Sequence, residues 1–251
     1  MARQVGEIKH QGAIGGIIYY KSPIGDYLAR EKGGVDAHRI ATDPAFECTR
    51  KNNTEFKGAT SAVRLLRSSV RSLSKKAEDC CLCSRLTKVL MQVKNLDVSH
   101  VHGERNVADG LATLRGKQLL TGFNFNINAP LHGVLYKSVK LVPATGEIII
   151  EKFSPLNDLK IPHGSTHILF KAGRAVIDFA TDHAALAVAK PVRLPVAAEE
   201  HAVNLLPDPL PAATGVTFMV LCIEFVQEIN GEDYPPAGKA ADNVMCIVGV
   251  G

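Results

Sequence analysis

The sequence predicts an α+β protein: an N-terminal β-hairpin arm, an αα-hairpin and a C-terminal antiparallel β-sandwich. Three observations carry this reading. β-Branched and aromatic residues crowd the first 34 positions, apolar residues recur at helical steps from Phe56 to Val93, and beyond about residue 118 the period becomes strand-like. The expected division is a hairpin arm over 1–38, a helical region over 39–117 and a sandwich domain over 118–251.

In the arm, Ala13-Ile14-Gly15-Gly16-Ile17-Ile18-Tyr19-Tyr20 reads as one extended run and Tyr27-Leu28-Ala29-Arg30 as its return. Ser22-Pro23-Ile24-Gly25-Asp26 supplies turn chemistry between them. A lone hairpin is marginal in water, so this one must lie on its own chain or on a neighbouring copy. Ile17 and Tyr19 alternate with Ile18 and Tyr20, so one pair is expected to face its own chain and the other a neighbour.

Asp43-Pro44 reads as an N-cap followed by proline at the first helical position. Asn52 and Glu55 stand at capping-box spacing, which predicts a second helix start there. From Phe56 the apolar steps alternate three and four through Ala59, Val63, Leu66, Val70, Leu73 and Ala77. They give one buried stripe, with Arg64, Arg67, Arg71 and Lys75 as a basic face beside it. After a break near Asp79, Leu82, Leu86, Val89, Leu90 and Val93 mark a second helix. The spacing predicts helices over 54–76 and 80–97, paired as a hairpin.

Val139 to Val142 and Glu147 to Ile150 flank Pro143-Ala144-Thr145-Gly146 as a β-hairpin. Thr166 to Lys171 and Ala175 to Phe179 flank Ala172-Gly173-Arg174 as a second. Shorter strands are expected at Ala185–Ala189 and Val192–Pro195, and a long one over Val216–Glu228. Asn230-Gly231 carries a type I′ turn signal, and Asn243–Val248 reads as a last strand. Leu205 to Pro211, with three prolines, reads as an extended connection. Strands at this spacing with Pro-rich links indicate a sandwich.

Charge is uneven. Residues 1–117 hold 20 Lys+Arg and 12 Asp+Glu, whereas 118–251 hold 9 and 13. The basic part could meet nucleic acid or the acidic part of another copy. No Lys/Arg run exceeds two residues, which ranks nucleic acid second as a partner. No stretch approaches 18 apolar residues, so no membrane span is expected. The first residues lack an apolar secretion core, and Cys222 and Cys246 sit in strand-like runs as small hydrophobes; both features point to the cytoplasm.

Chemistry-bearing patterns are weak. Cys80, Cys81 and Cys83 precede His100 and His102, but only Cys80 and Cys83 have zinc-like spacing, so no metal is expected. Asp178, Asp182 and His183 are the tightest acid–histidine group and read as the end of a strand. No Walker lysine follows the glycines at 12–16, and no Gly-x-Ser-x-Gly elbow is present. No catalytic residue and no cofactor are expected.

Three segments together resemble a family of uncharacterised bacterial hypothetical proteins. The first is Gly12 to Tyr20 with Leu28-Ala29-Arg30-Glu31-Lys32-Gly33-Gly34-Val35. The second is Arg39 to Phe46 with Thr49 to Asn53, Glu55 and Phe56; the third is Gly122-Phe123-Asn124-Phe125-Asn126. The resemblance implies a bacterial origin and a shared fold, and no activity.

The leading expectation is therefore a non-enzymatic, self-assembling scaffold that closes as a homo-oligomer, a tetramer or larger, with Ile17, Ile18, Tyr19 and Tyr20 at the interface. One alternative is nucleic-acid binding through Arg64, Arg67, Arg71 and Lys75. Another is an enzyme with an unrecognised site in the sandwich.

Overall fold

A computed structural model describes residues 1–22, 25–77, 79–210, 214–236 and 242–251. The chain divides into two units, Met1–Arg50 and Lys51–Gly251. Helices and antiparallel sheets make the fold α+β.

In the first unit, β1 (Ala2–Arg3), β2 (Gly12–Ile14), β3 (Ile17–Lys21) and β4 (Tyr27–Glu31) form a sheet in the order β1-β4-β3-β2. The run from Ala13 to Tyr20, expected as one strand, instead folds back on itself. Gly15 takes φ +58 and lets Ile14 pair with Ile17, making a tight hairpin. Of the turn expected after Lys21, Pro23 and Ile24 lie outside the described residues. Its flanks close through Ser22 N–H to Asp26 O at 2.7 Å. Helix α1 (Ala37–Thr42) follows, capped by the Asp36 side chain. Asp43 then caps the Ala45 N–H of a 3₁₀ turn at Pro44–Phe46.

Helix α2 (Glu47–Ser69) is continuous, so Asn52 and Glu55 lie inside it rather than at a new start. The helix breaks at Val70 (φ −105, ψ 13) into α3 (Arg71–Ser74), and α4 (Leu82–Lys94) returns. Two cross-links show the antiparallel register. Glu55 pairs with Lys94, and Arg67 donates to Cys83 Sγ at 2.9 Å. The stripe Ala59, Val63, Leu66, Val70, Leu73 and Ala77 is buried as expected. Phe56 is not: it is 51% exposed, and Glu55 occupies the inward position at 2%. Inward positions run 55, 59, 62/63 and 66, and a step of four from Ala59 reaches 55, not 56.

Short helices α5 (Val107–Ala112) and α6 (Leu114–Leu120) pack beside α4. Glycine is required at that contact. A Cβ on Gly110 would sit 2.2 Å from Val93 O, and one on Gly116 2.0 Å from Gly110 O. Segment 122–126 then threads between α4 and the sheet. Phe125 is fully buried, Arg85 donates to the Asn124 and Phe125 carbonyls, and Gly122 N–H reaches Ile247 O.

After α7 (Leu131–Val134), strands β5 (Lys140–Val142) and β6 (Glu147–Phe153) form the expected hairpin. Helix α8 (Pro155–Asp158) leads into β7 (His167–Asp178). Strand β7 is uninterrupted where a hairpin around Gly173 was expected. Gly173 pairs with Val188 on one side and Val220 on the other. Its missing side chain admits Leu73, whose Cδ1 would lie 2.6 Å from a Cβ there. This glycine serves helix-to-sheet approach, not a turn.

The remaining strands are β8 (His183–Val188), β9 (Val192–Pro195), β10 (His201–Leu205), β11 (Val216–Ile229), β12 (Glu232–Tyr234) and β13 (Val244–Val250). Strand β10 was not anticipated. It falls largely before the segment expected as a connection, of which Pro211 lies outside the described residues. Asn230 (φ 55) and Gly231 (φ 82) make the positive-φ turn joining β11 to β12.

Strands β12, β11, β7 and β8, with β13 on β11 and β9 on β7, form the large sheet. Both of its faces are covered. Phe218, Val220, Cys222, Ala175 and Ile177 join Leu66, Leu73 and Leu86 of the helices in one core. Leu221, Ile223, Phe225, Ile168 and Phe170 join Ile148, Ile150, Val203 and Leu205 of the three-stranded sheet β10-β6-β5 in the other. Two-sided burial explains the near-continuous apolar run of β11, which alternation alone would not produce. Among the described residues, no helix is long and apolar enough to cross a membrane.

Candidate functional site

Ile17, Ile18, Tyr19 and Tyr20 all lie on β3. The register places Ile14, Ile17, Tyr19, Lys21, Tyr27, Ala29 and Glu31 on one face of the sheet, and Ala13, Ile18, Tyr20, Leu28 and Arg30 on the other. The second face is partly dressed within its own unit. Arg30 stacks 5.8 Å over the Tyr20 ring, and the Tyr20 hydroxyl lies 2.9 Å from Met1 Sδ. On the first face His10 tilts against Tyr19 at 5.6 Å and Lys21 lies 5.5 Å over the Tyr27 ring, but Ile14 and Ile17 remain 57% and 41% exposed. No described residue of Met1–Arg50 is buried. Among its described residues this unit has four paired strands but no buried core of its own.

Arg64, Arg67, Arg71 and Lys75 are brought together along a groove of about 500 Å³ between α2, α3 and α4. Arg64 and Arg67 stand on α2, Arg71 opens α3 and Lys75 follows it, so the row continues across the break at Val70. Thr60, Ser68, Thr87 and Cys83 complete its lining. The three hydroxyls donate back to helix carbonyls at Lys57, Leu65 and Cys83. That leaves guanidinium and ammonium groups as the groove's available donors. Arg67 is held on the groove wall by Cys83 Sγ.

Cys80, Cys81 and Cys83 are free and exposed at the start of α4. The thiols of Cys80 and Cys81 lie 3.7 Å apart. The two histidines near them in sequence go to different partners. His102 Nε2 lies 2.9 Å from Asn52 Oδ1, while His100 Nδ1 lies 2.9 Å from Asp97 Oδ2.

The His100 group was missed as a cluster in the sequence. Asp97, His100 and Asp109 place one potential ligand atom each within 4.8 Å of one another. Their chemistry is that of a loop staple. Asp97 has a fully buried side chain and accepts from the amides of Ser99, His100 and Asn106 as well as from the His100 ring. An ionised carboxylate only accepts, so His100 Nδ1 carries the proton. Burial alone would raise the Asp97 carboxyl; the Asn106 and Ser99 amides and His100 outweigh it and hold the group below its ordinary value. Asn106 caps α5 through Asp109 N–H. The one signal was the Asp97–Ser99 spacing of an Asx turn.

Asp178 and His183 are cross-strand partners at the mouth of a turn. Asp178 accepts from Ala180 N–H and Thr181 N–H, and its carboxyl is held below the ordinary value by the Ala180 amide first and then by the Thr181 side chain, against the opposing effect of burial. Asp178 and His183 fix the turn, while Asp182, apart from them, lines a cleft of about 480 Å³ with Asn106 and Asp109. No family model, curated protein or solved structure matches the chain.

Proposed function

We propose that the protein is a non-enzymatic structural component that assembles with copies of itself through the sheet of residues 2–31. The observation carrying this is that no described residue of Met1–Arg50 is buried, although the unit holds a four-stranded sheet with an apolar face. Such a face left in water forgoes the burial that stabilises sheets, and a second copy supplies it. Charge favours self-contact. Residues 1–50 carry seven Lys+Arg and six Asp+Glu, so like-charge repulsion between two copies is small.

Ile17 and Tyr19, with Ile14, face the neighbour; Ile18 and Tyr20 face the side dressed by Arg30 and Met1. An isologous contact of this face closes as a dimer, and a tetramer or larger adds a second contact elsewhere on the chain. Six free thiols, four of them exposed, support a reducing cytoplasm as the compartment.

The test is an Ile14→Lys, Ile17→Lys double variant of the full chain, weighed by sedimentation velocity. Both positions are exposed, so the fold tolerates the change, and charge on the face blocks a like partner. The expected result is a smaller species than the parent, approaching the 27.0 kDa single chain. Equal masses for parent and variant refute the interface.

A further inference from the structure

We propose that the groove between α2, α3 and α4 binds the phosphodiester backbone of a single nucleic-acid strand without reading its bases. From Phe56 to Leu96 the chain holds nine Lys+Arg and only two acids, Glu78 and Asp79. Asp79 is committed to Arg85, while Lys76 and Lys94 are matched by Glu224 and Glu55. Arg64, Arg71 and Lys75 have no carboxylate within ion-pair range among the described residues, and no described residue lining the groove is acidic. Unmatched cations collected in a concave site focus a positive field and attract an extended anion.

The dimensions select the ligand. Arg64 and Arg67 stand before the break at Val70 and Arg71 and Lys75 after it, so the cations are spread along the groove wall, room for a short run of phosphates rather than one. A groove of about 500 Å³ holds a short stretch of one strand's backbone and cannot embrace a duplex. Among the described residues its lining has no aromatic side chain on which a base could stack, and the hydroxyls are spent on helix carbonyls. Recognition is therefore by charge and guanidinium geometry, independent of sequence.

The experiment is fluorescence anisotropy of a labelled, mixed-sequence single-stranded DNA of about 20 nucleotides, titrated with the full chain across salt. Four phosphate contacts predict a log Kd against log salt slope of magnitude about 3. In Arg64→Gln, Arg71→Gln, Lys75→Gln, which leaves the Arg67–Cys83 contact in place, affinity falls at least about tenfold and the slope shrinks to about 1. The control is Lys152→Gln, Lys160→Gln, Lys190→Gln, which removes the same charge from exposed positions elsewhere. It keeps most of the parent's affinity. Absence of binding by the parent, or equal losses in the two variants, overturns the proposal. So does displacement of the DNA by inorganic tripolyphosphate at an equal phosphate concentration, which marks a site for small anions. A lower sedimenting mass for the groove variant overturns it too, by marking a contact between copies.

Discussion

Replacing Lys94 by methionine removes the cation from a buried ion pair and leaves its partner behind. The Glu55 and Lys94 side chains are 1% and 6% exposed. Glu55 Oε2 accepts from Lys94 Nζ and Oε1 from Gly103 N–H at 2.8 Å, which ties α2, the end of α4 and the following loop together. Burial pulls the Lys94 ammonium below its ordinary value, with the Arg105 charge adding to the effect; this is the cost that Glu55 offsets. With Lys94 gone, one amide cannot neutralise the carboxylate, and the loss is about 3–5 kcal/mol. For a unit of this size that lowers Tm by about 6–20 °C. Urea unfolding followed by far-ultraviolet circular dichroism reads it directly. Glu55→Gln keeps an acceptor for Gly103 and removes the charge, so the double variant Glu55→Gln, Lys94→Met recovers to within about 1–2 kcal/mol of the parent. A Lys94→Met loss below about 1 kcal/mol, the range of an exposed pair, refutes the reasoning.

Gly110→Ala forces a Cβ toward the Val93 carbonyl and separates α5 from α4, at a cost of about 1–3 kcal/mol in the same assay; a neutral result means the helices part freely. Aromatic disulfide titration of the native protein labels Cys48, Cys80, Cys81 and Cys83. Cys222 and Cys246, whose thiols burial pushes up to about 12, react only after unfolding. Acid weakens the fold in a defined direction. Burial would raise the Asp79 carboxyl, but the Ile127 and Cys81 amides and Arg85 hold it below the ordinary value, as happens at Asp97. The unfolded chain then binds protons first as pH falls. The stability these groups supply is complete above about pH 5 and is lost as pH drops below about 4. Asp97→Asn flattens that slope; an unchanged slope contradicts the assignment.

The helical stripe was legible because tertiary burial follows the periodicity it creates. Leu66, Val70 and Leu73 needed only their spacing. Phe56 was misread because the inward slot is taken by a carboxylate whose partner, Lys94, lies 39 residues away. No local pattern announces such a pair. Gly173 misled for a related reason. A glycine between apolar runs looks like a turn, and only the approach of Leu73 shows why the strand passes straight through. Strand β10 escaped because it is short, its polar residues His201 and Asn204 do not alternate, and it runs into the proline-rich segment that follows. The row of four cations was visible in sequence. That it lies in a groove depends on where α4 returns. The Asp97 staple was hidden because its donors come from Asn106 as well as from neighbouring residues.

Sedimentation of the unmodified chain over a hundredfold dilution through the micromolar range tests the central claim most directly. An arm without a core predicts a discrete, symmetric species of at least two chains at the upper concentrations, dissociating toward 27.0 kDa if at all. A single 27.0 kDa species at every concentration, with the arm's amides protected from hydrogen exchange, would show that the sheet stands alone and would contradict the account.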